Sequence, residues 1–206
     1  MMVSVPHAPP RDAIRRVRCI QTVTIVWMSV EAGVSLSAAW GAHSPALVAF
    51  GGDSAVELLS AVVVLWRFNS RDAQEQAEKN ASHTAGTLLF VLAAFVVTVS
   101  ALTMLGYSEP KPSHLGIAVL MAATAIMPWL AWEKRKLSAI TGSAALRADA
   151  AESALCAYLS LGTLAGITVN AIWHLAWADP VAALAVTPLI VIEGRKVIGG
   201  KACGCC

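Results

Sequence analysis

Long apolar runs separated by short polar segments recur six times along the chain, near residues 19–40, 45–66, 86–107, 115–132, 143–173 and 180–194. A bilayer core of about 30 Å takes about 20 apolar residues of helix, so each run predicts a membrane-spanning helix. The fifth run is long for one span and is expected to be tilted, broken or partly outside the bilayer. The sixth is short unless it extends through Glu193. The polar segment 69–83 predicts a loop, and 109–113, with Pro110 and Pro112, a turn. The predicted fold class is all-α: a polytopic membrane protein with six transmembrane helices.

Composition supports this pattern. The 206 residues are 57% hydrophobic and 14% charged, with a mean hydropathy of +0.65, which is outside the range of a soluble core. A net charge of +2 leaves no basic surface for nucleic acid, and no Gly-rich nucleotide motif or internal repeat is present. The chain is therefore read as neither an ATP-driven pump nor an enzyme.

The basic residues predict orientation. Arg11, Arg15, Arg16 and Arg18 precede the first run; Arg67, Arg71 and Lys79 follow the second. Lys134, Arg135, Lys136 and Arg147 are assigned to the connection between the fourth and fifth, and Arg195, Lys196 and Lys201 follow the sixth. The opposite side carries Lys111 alone. The positive-inside rule then places both termini in the cytoplasm. Trp40, Trp173 and Trp177 fit the outer interface and Trp66, Trp129 and Trp132 the inner one, whereas Trp27 reads as a packing residue. The basic start and the small residues at 38–42 suit a cleaved leader, but the first run is too long and carries Glu31, so it is read as a retained helix. The expected organisation is a basic cytoplasmic segment at 1–18, a six-helix cation-transport domain at 19–197 and a cytoplasmic Cys-rich tail at 198–206. The Ala- and Val-rich composition suggests a bacterial inner membrane.

Five acids fall inside these apolar runs: Glu31, Asp53, Glu57, Asp149 and Glu152. A carboxylate at the bilayer centre costs about 2.5 kcal/mol or more, and such residues usually face a cavity or an ion path. Asp53 and Glu57 are four apart and Asp149 and Glu152 three apart, so each pair shares one helix face. Gly51 and Gly52 remove bulk just before the first pair. Two facing pairs would form a cation site. The alternative for Asp53 and Glu57 is a protonated pair bonded to neighbouring helices. Asp149 could instead sit at the inner interface beside Arg147, with Glu152 toward the cytoplasmic edge. Cys156 lies on the face of Asp149 and Glu152, as a ligand or a small packing residue. Glu31 could join the site, carry a coupled proton or pair elsewhere.

A carboxylate cluster binds a divalent cation when ionised and releases it when protonated, which makes proton exchange the natural counter-flux. Oxygen ligands suit hard or borderline metals. Cys203, Cys205 and Cys206 would be reduced on the cytoplasmic side and could gather a soft or borderline cation, accept an acyl chain or do neither. The segment fits a prenylation box poorly, because Gly204 and Cys205 are not aliphatic. Cys19 is read as packing. His43, His114 and His174 fall at outer ends, where they would line an exit mouth or be incidental; His7 and His83 lie on the other side.

Together, the six spans, the motif Gly51, Gly52, Asp53 to Glu57 and the opening Ala178, Asp179, Pro180 of the last run resemble the cation diffusion facilitator family. The similarity covers most of residues 15–197. In that family the second span carries an acid or His followed four residues on by Asp, and Glu57 stands in the Asp place. The fifth span carries His and Asp four apart. With Glu152 in the Asp place, Ala148 stands where His is expected and Asp149 is one residue off. That departure leaves the fourth ligand and the preferred metal open. The family usually adds a cytoplasmic metal-binding domain after the sixth span, for which few residues remain here. The chain is therefore similar to the short forms, such as the transmembrane protein 163 group, in which any homodimer would be held through the spans.

The resemblance implies a divalent metal exporter working by proton antiport. Zn²⁺ is the first choice, and Mn²⁺, Fe²⁺, Cd²⁺ and Co²⁺ are alternatives. Asp53, Glu57, Asp149 and Glu152 would form the site, with no resident cofactor; the partners would be lipid, metal ions and protons. Two other readings make different predictions. A proton-coupled organic-cation exporter using Glu31 would confer resistance to lipophilic dyes. A non-transporting metal buffer or sensor would need the tail cysteines and not the intramembrane acids.

Overall fold

The computed structural model describes residues 11–69, 75–107, 109–111 and 113–198. They form six helices: α1 (Arg11–Ala42), α2 (Pro45–Asn69), α3 (Glu75–Met104), α4 (His114–Thr141), α5 (Ala144–Trp173) and α6 (Ala178–Ile198). No strand occurs among the described residues. In hydrocarbon an isolated segment can satisfy every backbone N–H and C=O only as a helix, and the apolar runs adopt that solution.

The helix ends have local causes. Ser44 caps α2 by accepting the Leu47 N–H at 3.1 Å. Ser113 caps α4 by accepting from Gly116, and Ser143 caps α5 by accepting from Leu146. Gly142, at φ 65°, supplies the left-handed residue that ends α4 and turns the chain into α5.

Charge ends the apolar runs but not the helices. The fourth run was expected to end at 132, yet α4 continues through Lys134, Arg135 and Lys136 to Thr141. The expected loop at 69–83 contracts likewise, because α3 begins at Glu75, and the basic N-terminal segment is helical from Arg11. Glu, Lys, Arg, Gln and Ala are good helix formers, so a polar stretch of that composition extends a helix into water.

Among the described residues, five helices are long and apolar enough to cross a membrane: Asp12–Ala42, Pro45–Trp66, Thr87–Met104, His114–Thr141 and Ala145–Trp173. The molecule is a multi-pass membrane protein. Helix α6 is shorter, at 21 residues, and carries Asp179, Glu193, Arg195 and Lys196. Large apolar side chains such as Val26, Val91, Phe95, Met121 and Leu161 point outward, as a lipid-facing surface requires.

Helix α2 is central, packing against α1, α3, α5 and α6, while α4 packs on α1 and α5. Glycines allow the closest approaches. A Cβ at Gly51 would lie 3.0 Å from Ser35 Cβ of α1, and one at Gly166 of α5 would collide with Ala182 Cβ of α6. Asp179, at the start of α6, accepts the Ser44 hydroxyl and the Ala46 N–H, pinning α6 to the start of α2. The motif Ala178, Asp179, Pro180 thus fastens one end of the bundle.

Candidate cation site

Between α1, α2, α4 and α5 the bundle interior is polar. Asp53 and Glu57 project from α2, one turn apart and buried. Helix α5 supplies the buried Asp149, Ser153 and Cys156 and the half-buried Glu152. Helix α1 supplies Gln21 and Glu31, both fully buried. The acids assigned to apolar runs all lie on the inward side of α1, α2 and α5.

Two linked sub-clusters divide the site. In the first, Ser54 donates to Glu31 Oε1 at 2.7 Å and the Cys156 thiol donates to the same oxygen at 3.4 Å. Asp53 lies within electrostatic range of Glu31 and Glu57, beside Cys156. In the second, the Lys134 ammonium reaches Asp149 Oδ2 at 2.9 Å and Glu57 Oε1 at 3.5 Å and donates to Ser153 Oγ at 2.7 Å. The Ser153 hydroxyl donates to Glu57 Oε1, and Gln21 Nε2 donates to Asp149 Oδ2 at 2.7 Å. Glu152 lies beside Ser60 and within range of Asp149, Glu57 and Glu193.

Lys134 requires a correction. It was assigned to a polar connection, but it is fully buried in α4. Asp149 accordingly pairs with Lys134, whereas Arg147 is exposed. Helical spacing carried the signal: Leu120, Ala123, Met127, Leu130, Lys134 and Leu137 step by three and four along the buried stripe of α4. Asp149, Ser153, Cys156, Ser160 and Thr163 form a corresponding polar seam on α5, all buried. Gln21, Ser153 and Glu193 were also missed as site neighbours, being single polar residues in or beside apolar runs.

Among the described residues, Glu31 Oε2, Glu57 Oε2, Asp149 Oδ1 and Glu152 Oε2 are buried without a hydrogen-bond partner. Orphaned buried acceptors are rare and costly, about 1–3 kcal/mol each, and a group of them is satisfied by ordered water, protons or a cation. No three His, Cys, Asp or Glu side chains among the described residues converge closely enough to hold one ion as they stand. Lys134 and the hydroxyls of Ser54 and Ser153 hold the carboxylates instead. His43, His114 and His174 are exposed. Cys203, Cys205 and Cys206 lie outside the described residues.

A multi-pass bundle whose interior gathers carboxylates, a thiol and orphaned oxygens is the architecture of a membrane protein that handles cations. Residues 22–199 match the cation efflux transmembrane domain, and the chain belongs to that family. It is 29% identical over 176 residues to an uncharacterized transporter of Synechocystis sp., covering 81% of this chain and 56% of that protein. It is 26% identical over 188 residues to the manganese efflux system protein MneS of Bacillus subtilis, covering 87% of this chain and 64% of MneS. The chain thus spans less than two thirds of the length of either relative.

Proposed function

We propose that this chain exports a divalent metal cation in exchange for protons, by alternating access of the helix bundle. In this reading Asp53 and Glu57 of α2 close on the ion with Glu152 and Cys156 of α5, and Asp149 is the partner of Lys134. The observation that carries it is that Glu57 Oε2 of α2 and Glu152 Oε2 of α5, on two of the proposed ligands, are buried without a hydrogen-bond partner. An incoming metal would satisfy those oxygens, and protons from the opposite side would satisfy them in turn. Each occupant therefore promotes release of the other.

Orientation and setting belong to the same proposal. All six helices cross the bilayer, with both termini and the Arg16, Arg135 and Arg195 end in the cytoplasm of a bacterial cell. Zn²⁺ is the favoured cargo, since one thiolate among carboxylates suits a borderline metal. Mn²⁺ is the second reading, favoured by the majority of oxygen ligands and by the similarity to MneS.

The test is metal uptake into proteoliposomes under an imposed pH gradient, with Zn²⁺, Cd²⁺, Mn²⁺, Fe²⁺ and Co²⁺ in turn. Proton-driven flux that collapses in Asp53→Asn is expected. Undiminished flux in that variant would remove Asp53 from the site. No flux of any metal by folded protein would refute the transport reading.

A further inference from the structure

The proposed exchange uses the acids and leaves the buried ammonium of Lys134 without a task. Its surroundings are built. An ammonium has three donors and no acceptor, and Asp149, Glu57 and Ser153 supply three acceptors from two other helices. The partners are not equally held. Asp149 lies at 2.9 Å and is anchored by Gln21 as well, whereas Glu57 lies at 3.5 Å. Glu57 presents one oxygen to Lys134 and Ser153 together, and its other oxygen has no partner.

We propose that Lys134 is a tethered counter-cation that occupies the Glu57 end of the site until metal displaces it, and so weakens and sets metal affinity. The inference rests on the reading of Glu57 as a metal ligand. Glu57 cannot serve both cations closely, because a divalent ion on its carboxylate would stand a few ångströms from the ammonium in a medium that screens poorly. Lys134 yields Glu57 at little cost, since Asp149 and Ser153 still hold it and a bare buried ammonium never forms. When the metal leaves, the ammonium is already in place to re-engage Glu57, and this hastens release. The competition occurs within one chain, so its effective concentration is high and independent of the medium. Lys134 thus acts on the ion through Glu57, as a positioning residue.

The test uses the full chain in detergent, stripped of metal, with Zn²⁺ binding followed by calorimetry and release by stopped-flow mixing with a chelator. Two charge-removing variants are compared with wild type: Lys134→Gln alone, and Lys134→Met combined with Asp149→Asn, which neutralises the nearer partner as well and leaves Glu57 held by the Ser153 hydroxyl. Both are expected to bind Zn²⁺ about tenfold tighter or more and to release it correspondingly slowly. Lys134→Arg, which keeps the charge, is expected to stay near wild type. A purely structural ion pair would leave affinity unchanged or lower it in the charge-removing variants. That result, with binding still lost in Asp53→Asn, overturns the inference alone. Absence of both Zn²⁺ and Mn²⁺ binding by the wild type, or wild-type binding by Asp53→Asn, overturns the site reading and the inference with it.

Discussion

Asp149 is paired with the buried Lys134, and a stability cycle separates a role as ion-pair partner from one as free metal ligand. As a free metal ligand, its charge would burden the metal-free protein, and Asp149→Asn would stabilise it. In the structure its Oδ2 instead accepts from Lys134 at 2.9 Å and Gln21 at 2.7 Å, and the lysine is wholly buried. Removing one member of a buried ion pair strands the other and costs about 3–5 kcal/mol. Asp149→Asn and Lys134→Met should each destabilise by that order, and the double variant should recover part of the loss, because Asp149 is then no longer stranded while Glu57 keeps its charge beside the Ser153 hydroxyl. Glu57 supplies Lys134 with a second carboxylate, which places Asp149→Asn at the lower end of the range. At about 2–4 °C per kcal/mol for a chain of this size, the single variants should melt about 6–20 °C lower. Tryptophan fluorescence during heating in detergent, without metal, reads this directly. A rise in melting temperature for Asp149→Asn, or a double variant as damaged as the sum of the singles, would refute the pairing.

Three further outcomes are expected. Cys156→Ser should weaken Zn²⁺ binding about tenfold while affecting Mn²⁺ little, since thiolate favours the softer ion; equal losses for both metals in competition titrations would exclude the thiol as a ligand. Gly166→Ala places a Cβ against Ala182 Cβ and should cost about 1–3 kcal/mol of overpacking, relieved by Ala182→Gly in the same thermal assay. Asp179→Ala strips the acceptor from the Ser44 hydroxyl and the Ala46 N–H and should cost about 1–3 kcal/mol, seen as a lower melting temperature with metal affinity unchanged. A changed affinity would link that end of the bundle to the site.

Much of the architecture was legible because hydropathy reports directly on the solvent. The runs at 45–66 and 143–173 became α2 and α5 almost unaltered. Boundaries were misplaced where hydropathy ends and helix does not. Glu75 to His83 and Lys134 to Thr141 are helical because their residues favour helix in water as well as in lipid. The acids of the candidate site stand out as charges in apolar runs, and Trp27 does pack against the core as read. Partner assignments were less visible. Spacing along α5 puts Asp149 and Cys156 on one face, but only tertiary packing brings Lys134 of α4 to Asp149 and Glu31 of α1 to Cys156.

The misreading of Lys134 and the excess of buried acids have one physical origin. Glu133, Lys134, Arg135 and Lys136 are consecutive, and at about 100° per residue they point in different directions. Glu133 takes Arg16 at 2.8 Å and Lys136 at 3.7 Å, and Lys136 also covers the Trp132 ring at 4.1 Å. Arg135 is exposed, and Lys134 alone of the three cations turns inward. Burying an ammonium is unfavourable unless charge of opposite sign already waits inside. Here Asp149 and Glu57 wait on the facing helices, so its inward course is a consequence of the acids rather than an exception to the charge pattern. The positive-inside count therefore loses one charge at this connection but keeps Arg135, Lys136 and Arg147, and the proposed orientation does not depend on it. By the same reasoning, a lysine that falls in register with the buried stripe of its helix, in a chain with unpaired intramembrane acids, is better counted with the site than with the loops.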